Sequence, residues 1–470
     1  MLFCIVPETQ LFAQSQVTPP VPVLPIPTDR QMEWQEAELA MFLHFGVNTF
    51  TNREWGTGEE NPAIFNPSHL NTRQWTRVAK ETGFKTVILT AKHHDGFCLW
   101  PSKYTDHSVE RSPWKAGAGD VVGELAAAAR ADGLKLGLYL SPWDRHEPVY
   151  GDQVEYNQYY FGQLQELVTG YGELVEVWFD GAKGEDAKDM AYNFDAYWSL
   201  VRQQQPGAVL FSDAGPDIRW IGNEDGIAGE TCWSMMDRSQ VTIGKADRDL
   251  LNHGDPNGSD WVPGESDVSI RPGWFWHPEE EPKSVAELMD IYYKSVGRNT
   301  VLLLNVPPTD QGLLDPADVE RLYEFQEARN RVFNLDYTDD ASADADNVRG
   351  GDAAYGASQV LDKDLSTYWA TDNQHNSGTL TVTLDEPTTF NVIRMQEPIT
   401  MGQRVKKYRV QAYVDNGWKT VSEGTTIGYK KLDLIEPVTA SRVRLVIDDA
   451  RGCPLIAEFG LHFDPQKYLK

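Results

Sequence analysis

An aspartate that follows a short apolar segment is the side chain of this sequence best placed to do chemistry. Asp180 comes directly after Glu176-Val177-Trp178-Phe179 and directly before Gly181. If the segment is a strand of a (β/α)₈ barrel, Asp180 lies at its carboxyl-terminal mouth, where enzymes of this fold place their reacting groups. The glycine lets the chain turn away at once, which leaves the carboxylate uncovered. A solvated loop aspartate is the competing interpretation, and the other motifs decide between the two.

Other polar and aromatic residues also follow apolar segments that predict strands. In a barrel the loops after all strands meet at one rim, so these residues are expected to form one pocket. The segments are His44-Phe45-Gly46, Lys92-His93-His94-Asp95-Gly96, Ser141-Pro142-Trp143-Asp144 and Ser212-Asp213.

A pair of carboxylates in such a pocket is typical of a glycosidase. One carboxylate attacks the anomeric carbon, and a second acid protonates the departing oxygen. Asp180 is the candidate nucleophile. Glu224, Glu230 and Glu265 are candidates for the acid, and spacing along the sequence does not choose among these glutamates on long loops.

The motifs of several other chemistries are missing from the sequence. His93-His94 is a weak indication of a metal site, because consecutive side chains of an extended segment point to opposite sides and no HExxH motif completes a ligand set. Two neutral imidazoles suit hydrogen bonding to a polyhydroxylated ligand better. There is also no Gly-x-Ser-x-Gly elbow and no phosphate-binding glycine loop. We therefore expect no metal and no other cofactor.

The composition also restricts the partners. The formal net charge of −28 disfavours nucleic acids, which need a basic footprint, and anionic membrane surfaces. A neutral ligand is expected, and the many aromatic residues suit sugar faces as well as core packing. The four cysteines have no metal-binding or redox spacing and are expected to be isolated buried thiols: Cys4, Cys98, Cys232 and Cys453.

The first 29 residues are expected to form a leader and an extended, proline-rich lead-in. Leu11-Phe12-Ala13-Gln14 resembles the end of an export signal, although a basic start and a full apolar segment are missing. A disordered cytoplasmic leader is the alternative. The export interpretation predicts a periplasmic or secreted protein.

Residues 30–335 show short apolar strands alternating with amphipathic helices, which predicts a parallel (β/α)₈-like barrel. Eight units cannot be counted, because residues 214–285 are rich in loops. The predicted strands are Met41–Phe45, Thr86–Thr90, Leu134–Leu140, Leu174–Phe179, Val209–Ser212 and Val301–Leu304. The predicted helices are Thr72–Thr82, Val121–Ala131, Tyr156–Gly170, Phe194–Gln205, Val285–Val296 and Pro316–Asn330.

Residues 336–470 show strands without intervening helices, which predicts a separate antiparallel β-sandwich. This domain either binds sugars through aromatic residues such as Tyr368 or Trp369, or supports the barrel, and we favour support. The predicted strands are Gly378–Leu384, Phe390–Met395, Lys407–Tyr413, Trp418–Val421, Lys431–Leu434 and Ser441–Ile447.

Taken together, five ordered motifs resemble the α-L-fucosidases of glycoside hydrolase family 29. They are His44-Phe45-Gly46, Glu54-Trp55-Gly56, Lys92-His93-His94-Asp95-Gly96-Phe97, Trp178-Phe179-Asp180-Gly181 and Arg271-Pro272-Gly273-Trp274-Phe275. The carboxyl-terminal part resembles the galactose-binding-like sandwiches, related to coagulation factor 5/8 type C domains, that often follow this barrel.

The resemblance implies a retaining, metal-independent double displacement with Asp180 as the nucleophile. In the subgroup that cleaves α-1,3/1,4-fucosyl branches, the acid/base residue lies roughly 45 residues further on, which favours Glu224 over Glu230 and Glu265. Trp274 and Trp276 are either walls of the sugar subsites or core aromatics. The residues implied to hold the fucose are His44, Glu54, Trp55, His93, His94 and Tyr139, with Trp178 beside the nucleophile.

The expected function is hydrolysis of fucose from Lewis-type oligosaccharides. An α-L-fucosidase of relaxed specificity and a non-catalytic fucoside-binding protein are the alternatives. A galactosidase is conceivable from the fold alone, but it would need a hydrogen-bonding partner for a 6-hydroxyl where a fucosidase needs an apolar wall for the 6-methyl group.

Overall fold

The computed structural model describes residues 17–245 and 247–465, and its first part is a closed barrel of eight parallel strands. The leader residues before 17, with Cys4, lie outside the described residues. Each strand pairs with the next in the chain, and the last pairs with the first. The strands are β1 (Leu39–Leu43), β2 (Thr86–Lys92), β3 (Lys135–Leu140), β4 (Glu176–Trp178), β5 (Val209–Ser212), β6 (Ile218–Trp220), β7 (Gly264–Ser269) and β8 (Val301–Asn305).

The strands are buried on both faces, and their side chains alternate between the barrel interior and the helical layer. On β8, Val301 and Leu303 belong to the interior cluster, whereas Leu302 and Leu304 pack in the cluster outside the barrel. Because of this alternation, an inward residue near the end of six of the eight strands points into the mouth of the barrel. The residues that end or follow the strands therefore become the walls of one cavity.

Amphipathic helices cover the outside of the barrel, and the six predicted helices are confirmed to within three residues at each end. Local signals place their starts: Asp120 caps one helix by accepting a hydrogen bond from the backbone N–H of Gly123. The bounds are α1 (Asp29–Gln35), α2 (Val47–Thr51), α3 (Thr72–Glu81), α4 (Val121–Asp132), α5 (Gln153–Gly170), α6 (Phe194–Gln204), α7 (Arg248–His253), α8 (Val285–Lys294) and α9 (Pro316–Phe333). Among the described residues, no helix is both long and apolar enough to span a membrane.

Two barrel strands lie in the segment that the sequence analysis described as loop-rich. β6 has only three residues, and no helix separates it from β5. β7 reads Gly-Glu-Ser-Asp-Val-Ser, so its inward positions carry the polar residues Glu265 and Asp267 instead of an apolar run. Short length and polar inward positions remove the pattern by which a buried strand is recognised. The six strands that were predicted are present, with ends that differ by up to two residues.

The amino-terminal end of the barrel is closed by α1. Trp34 of this helix belongs to the apolar cluster inside the barrel. Its indole N–H donates to Glu176 Oε2 at 3.1 Å. The cavity at the opposite end is therefore a blind pocket rather than a channel.

The carboxyl-terminal part is an antiparallel β domain built around one large sheet. Gly378–Gln396 and Lys431–Ala450 are long, irregular strands, and each covers two predicted strands. The chain does not turn back between the two predicted strands; the pairing register shifts there instead. Asp415 and Asn416 form the turn between two strands that pair with each other. The sheet has the order Ser342–Ala345, Gly378–Gln396, Lys431–Ala450, Val405–Val414 and Gly417–Gly424, and Glu458–His462 also pairs with Gly378–Gln396.

Polar contacts join the β domain to the side of the barrel. Gln403 accepts from the backbone N–H of Ser234 at 2.8 Å and donates to the carbonyl of Cys232 at 3.0 Å. Asn299, two residues before β8, accepts from the backbone N–H of Tyr429 at 2.7 Å. Trp369, one of the two aromatic residues considered for sugar binding, is fully buried in the β domain. The expected boundary at residues 335 and 336 falls between α9 and the first strand of this domain.

Candidate active site

A cavity of about 420 Å³ opens at the carboxyl-terminal mouth of the barrel, and all ten predicted site residues line it. They come from loops after six of the eight strands, or from the strands themselves, so only the closed barrel brings them together. The predicted lining residues are His44, Glu54, Trp55, His93, His94, Tyr139, Trp178, Asp180, Glu224 and Trp274. Phe42 and Phe211 add apolar wall that the sequence analysis did not assign to the site.

Asp180 lies at the centre of the pocket and is held from both of its oxygens. Tyr139 donates its hydroxyl to Oδ2 at 2.9 Å, and the backbone N–H of Ala182 donates to Oδ1 at 2.7 Å. About one fifth of the side chain is exposed. Burial raises the pKa of Asp180, and the two hydrogen bonds oppose that rise because they stabilise the carboxylate. The two donors thus favour the ionised form of an accessible carboxyl group inside an aromatic pocket.

Glu224 stands at the rim of the same pocket, on the loop after β6. The indole N–H of Trp274 donates to its Oε2 at 3.2 Å. Desolvation by the pocket wall, together with the charge of Asp180, raises the pKa of Glu224. The charge of Asp180 thus acts on Glu224 across the cavity. Glu224 is the more exposed of the two carboxyl groups, so solvent reaches it.

Glu54 positions Trp274 from the other side. Its carboxylate accepts from the backbone N–H of Trp274 at 2.8 Å and lies 2.6 Å from Nε2 of His277. Trp55, the next residue, is 43% exposed and packs edge-on against His94 and Trp143. An exposed indole at the mouth of a polar cavity suits contact with a ligand.

The hydrogen-bond network assigns the tautomer of His44. Asn305 donates to the carbonyl of Trp274 at 2.7 Å and to Ser269 Oγ at 2.9 Å, so its own oxygen is left to accept. That oxygen lies 2.8 Å from His44 Nδ1, which therefore carries the proton. Burial lowers the pKa of His44 to about 3, so the ring is neutral and its Nε2 is an acceptor.

The same reasoning applies to His94. Ser141 donates its hydroxyl to the carbonyl of Trp143 at 2.6 Å and so accepts from His94 Nδ1 at 2.7 Å. Nε2 is then an acceptor that faces Asp180 Oδ2 at 3.6 Å. Burial lowers the pKa of His94 to about 3, with help from the charges of Arg145 and Lys92. Two acceptors face each other here, an arrangement that a ligand hydroxyl placed between them would satisfy.

The expectation that His93 and His94 point to opposite sides was wrong. β2 ends at Lys92, so the strand alternation on which it rested no longer applies to the two histidines. Both line the cavity, with ring centroids 4.1 Å apart, and His93 stacks at 5.8 Å from Tyr139. Among the described residues, no three His, Cys, Asp or Glu side chains are grouped so as to hold a metal ion.

The structure separates the three glutamates considered as the acid. Glu230 is exposed outside the cavity, where its carboxylate lies 3.7 Å from Arg298. Glu265 is fully buried inside the barrel beneath Trp178 and does not line the cavity. Trp276 also lies outside the cavity, with its indole N–H bonded to Asp315. Glu224 is thus the one of the three glutamates that faces the pocket, and Trp274 is a pocket wall.

Asp213, one of the residues expected at the rim of the barrel, lines the cavity. It follows β5 and accepts from the backbone N–H of Gly244 at 2.7 Å, and burial raises its pKa to about 6. Several other lining residues were not predicted. Asp267, on β7, accepts from the indole of Trp220 at 2.9 Å. Arg248 lies over that indole, and Lys245 is also at the rim. The alternation of Glu265, Asp267 and Ser269 along β7 was the one sequence signal for Asp267.

Cys98, Cys232 and Cys453 are free and buried, as expected for isolated thiols. Burial raises the pKa of Cys98 and of Cys232, so neither thiol is activated.

Comparison with known proteins identifies the family to which this pocket belongs. Residues 13–327 match the Alpha-L-fucosidase family, and residues 340–459 match the F5/8 type C domain. The chain belongs to the α-L-fucosidase family, glycoside hydrolase family 29. The protein is thus an α-L-fucosidase with a galactose-binding-like carboxyl-terminal domain, and the expected enzyme class and barrel-plus-sandwich fold are confirmed.

Individual relatives cover nearly the whole fucosidase. It is 52% identical over 449 residues to Alpha-L-fucosidase 1 of Arabidopsis thaliana, which spans 95% of this chain and 89% of the relative. The crystal structure of SpGH29 is 42% identical, with a TM-score of 0.92 over 95% of this chain and 100% of the other. A Ruminococcus gnavus GH29 fucosidase in complex with fucose is 35% identical, with a TM-score of 0.89 over 97% of this chain and 98% of the other.

Proposed function

We propose that this α-L-fucosidase is a retaining exo-enzyme that releases α-1,3/1,4-linked fucose from Lewis-type oligosaccharides, with Asp180 as nucleophile and Glu224 as acid/base. The observation that carries the proposal is that these two carboxylates face one blind pocket and differ in environment. Asp180 is stabilised as a carboxylate by two donors, whereas Glu224 receives one long hydrogen bond and repulsion from Asp180. Those environments favour an ionised nucleophile and a protonated acid.

In the first step, an Asp180 oxygen bonds to the anomeric carbon while the bond from that carbon to the glycosidic oxygen breaks. The Glu224 proton moves to the departing oxygen, which leaves as a hydroxyl group. In the second step, Glu224 takes a proton from water, and the resulting oxygen attacks the same carbon and displaces Asp180. Two inversions retain the configuration, and Glu224 ends protonated as it began.

The pocket floor and walls suit a single terminal fucose. Neutral His44 and His94 each offer an Nε2 acceptor to a sugar hydroxyl, and Glu54 and His93 add further polar atoms. Phe42, Trp178 and Phe211 supply apolar surface for the face of the ring and its methyl group. Because α1 closes the barrel behind this floor, the chain of sugars extends only outward, which supports exo cleavage.

The cavity is also lined by the polar residues Asp213, Lys245, Arg248 and Asp267. Polar side chains beside the fucose pocket suit the hydroxyls of the sugars that carry the fucose. They support a preference for branched substrates, together with the spacing of 44 residues between Asp180 and Glu224 that resembles the α-1,3/1,4 subgroup. Relaxed specificity is the second candidate.

Release of fucose from Lewis a or Lewis x trisaccharide, 2′-fucosyllactose and a nitrophenyl fucoside tests the linkage. Rapid release from the Lewis sugars with little from 2′-fucosyllactose is expected. Comparable release from all three substrates would establish the relaxed alternative instead.

The two catalytic roles are tested by substitution. Asp180→Ala should lower kcat on the nitrophenyl fucoside by about 10³-fold or more, because the nucleophile is lost. Glu224→Ala should lower it far less on this good leaving group than on a Lewis sugar, and azide should partly restore turnover. Glu230→Ala is the matched control and should keep wild-type rates. Wild-type turnover by Glu224→Ala on Lewis sugars would refute the assignment.

We also propose that the protein is periplasmic or secreted, which rests on the likeness of Leu11–Gln14 to the end of an export signal. Sequencing the amino terminus of the protein from cell fractions tests this. For the β domain we propose support of the barrel, since Gln403 and Tyr429 bond to barrel residues and Trp369 is buried.

A further inference from the structure

Two buried glutamates inside the barrel take no part in the chemistry described above. Glu176 on β4 and Glu265 on β7 are both fully buried. Glu176 Oε2 accepts from the indole of Trp34 at 3.1 Å, and Glu265 Oε2 accepts from the indole of Trp178 at 2.8 Å. The pair therefore lies between the helix that closes the barrel and the floor of the active site.

The second oxygen of each carboxyl group reveals their relation. Oε1 of Glu176 and Oε1 of Glu265 are both buried, and neither accepts a hydrogen bond from an N–H or O–H donor of the described residues. The two side chains nevertheless lie within hydrogen-bonding contact of each other. Two ionised carboxylates at that distance in an apolar interior would repel strongly. One proton between them turns two unsatisfied acceptors into a single O–H···O hydrogen bond.

The surroundings favour this protonated pair. Burial raises the pKa of Glu176 to about 8, and burial together with the charge of Glu176 raises the pKa of Glu265 well above its ordinary value. Packed around them inside the barrel are apolar side chains such as Ile88 and Val209, the hydroxyl-bearing Tyr139 and, further along β7, Asp267. Burial, together with the charges of Glu224 and Glu265, raises the pKa of Asp267. These titratable neighbours bring no cation that would favour ionisation of both glutamates.

Trp178 connects the pair to the reacting groups. Its ring forms part of the pocket floor and stacks on Phe211 at 3.6 Å between centroids. Its ring also packs against Tyr139, 5.5 Å away between centroids, whose hydroxyl donates to Asp180. The hydrogen bond to Glu265 fixes the rotation of the indole, and the indole limits where the Tyr139 ring lies.

We propose that Glu176 and Glu265 share one proton, and that Glu265 is a positioning residue that holds Trp178, and through it Tyr139 and Asp180, in place for catalysis. Glu176 is the partner that carries or accepts the shared proton. Neither side chain touches the substrate.

The shared proton is tested by infrared difference spectroscopy on the full-length protein at pH 7. The wild type should show a protonated-carboxyl band that is absent from Glu265→Gln, because the amide donates to Glu176 in place of the O–H group. Between pH 5 and 8, the folded wild type should also retain about one proton that its unfolded chain has lost. Since the folded-state pKa is raised, stability falls as pH rises, and the folding equilibrium constant should fall about ten-fold per pH unit relative to the variant. Identical spectra and identical pH dependence of melting would refute proton sharing.

The positioning role is tested by kcat for three variants. Glu265→Met removes the acceptor for Trp178, so kcat should fall about ten-fold, as for loss of one buried hydrogen bond. Glu176→Met disturbs the same pair but leaves that acceptor in place, and Glu265→Gln restores it, so both should stay within about three-fold of wild type. Equal losses in Glu265→Met and Glu176→Met, or a Glu265→Gln variant as slow as Glu265→Met, would overturn the positioning role.

The kcat comparison rests on the proposed role of Asp180, whereas the infrared comparison does not. An active Asp180→Ala enzyme would therefore remove the proposed function and leave the shared proton standing. Loss of the infrared difference would remove the shared proton and leave the proposed function standing.

Discussion

Tyr139→Phe removes one of the two donors to Asp180, the proposed nucleophile, and little else. The hydroxyl of Tyr139 is 2.9 Å from Asp180 Oδ2, and phenylalanine preserves the packing against Phe42 and Trp178. A hydrogen bond to a charged group contributes about 1.5–3 kcal/mol. The lower end applies here, because Asp180 is 21% exposed and keeps the N–H of Ala182. A loss of about 1.5 kcal/mol corresponds to a rise of about one unit in the pKa of Asp180.

The direction in which the pH profile moves follows from the role of Asp180. In the proposed mechanism Asp180 attacks as a carboxylate, so a higher pKa moves the acidic limb of the kcat/KM profile to higher pH by about one unit. Activity below the limb should then fall about ten-fold, whereas the ionisation of Asp180 is unaffected well above it. The assay is kcat/KM on a nitrophenyl fucoside across the acidic and neutral range.

Two controls sharpen this experiment. Tyr160→Phe removes the same atom from a buried tyrosine that donates to the carbonyl of Leu140 at 2.8 Å, outside the pocket, and should leave the limb in place. Asp213, with a pKa raised by burial to about 6, is the competing source of an acidic limb, so the limb should persist in Asp213→Asn. An unmoved limb in Tyr139→Phe, or an equal shift in Tyr160→Phe, would refute the reasoning.

Three further outcomes are expected. Because burial lowers the pKa of both His44 and His94 to about 3, His94→Asn should retain both limbs of the kcat/KM profile above pH 4, and loss of a limb would show that His94 titrates in that range. Asn305→Leu removes the acceptor that fixes the proton on His44 Nδ1, so KM should rise about ten-fold. Asn299→Leu is the matched variant at the interface of the two domains, and its melting midpoint reports the effect of the same substitution on stability alone. Trp369→Ala empties a fully buried site in the β domain and should cost about 3–5 kcal/mol of that domain's stability, measured by calorimetry; an unchanged transition would contradict its place in the core.

Much of the barrel and of the pocket could be predicted because both leave local marks in the sequence. Strands such as Val209–Ser212 and Val301–Leu304 are buried on both faces, so they stand out in the sequence as apolar runs. Each is followed by a polar residue at the mouth of the barrel. The motifs that carried the family resemblance contain such residues at strand ends: His44, His93 and Asp180. The helices were predicted from their amphipathic spacing, which depends on neighbours a few residues away.

The remaining features depend on which strands become neighbours, and only the tertiary structure decides that. β7 was not recognised because its inward side chains are carboxylates, which are tolerated there only since Trp178 and Glu176 meet Glu265 from other strands. Glu224, Glu230 and Glu265 look alike along the chain, yet one faces the pocket, one faces solvent and one is sealed beneath the floor. The chemistry of a carboxyl group is set by its burial and its partners, and those partners come from residues about 40 to 90 positions away. The sequence alone determined which side chains were available, and the closed barrel decided which of them face the pocket.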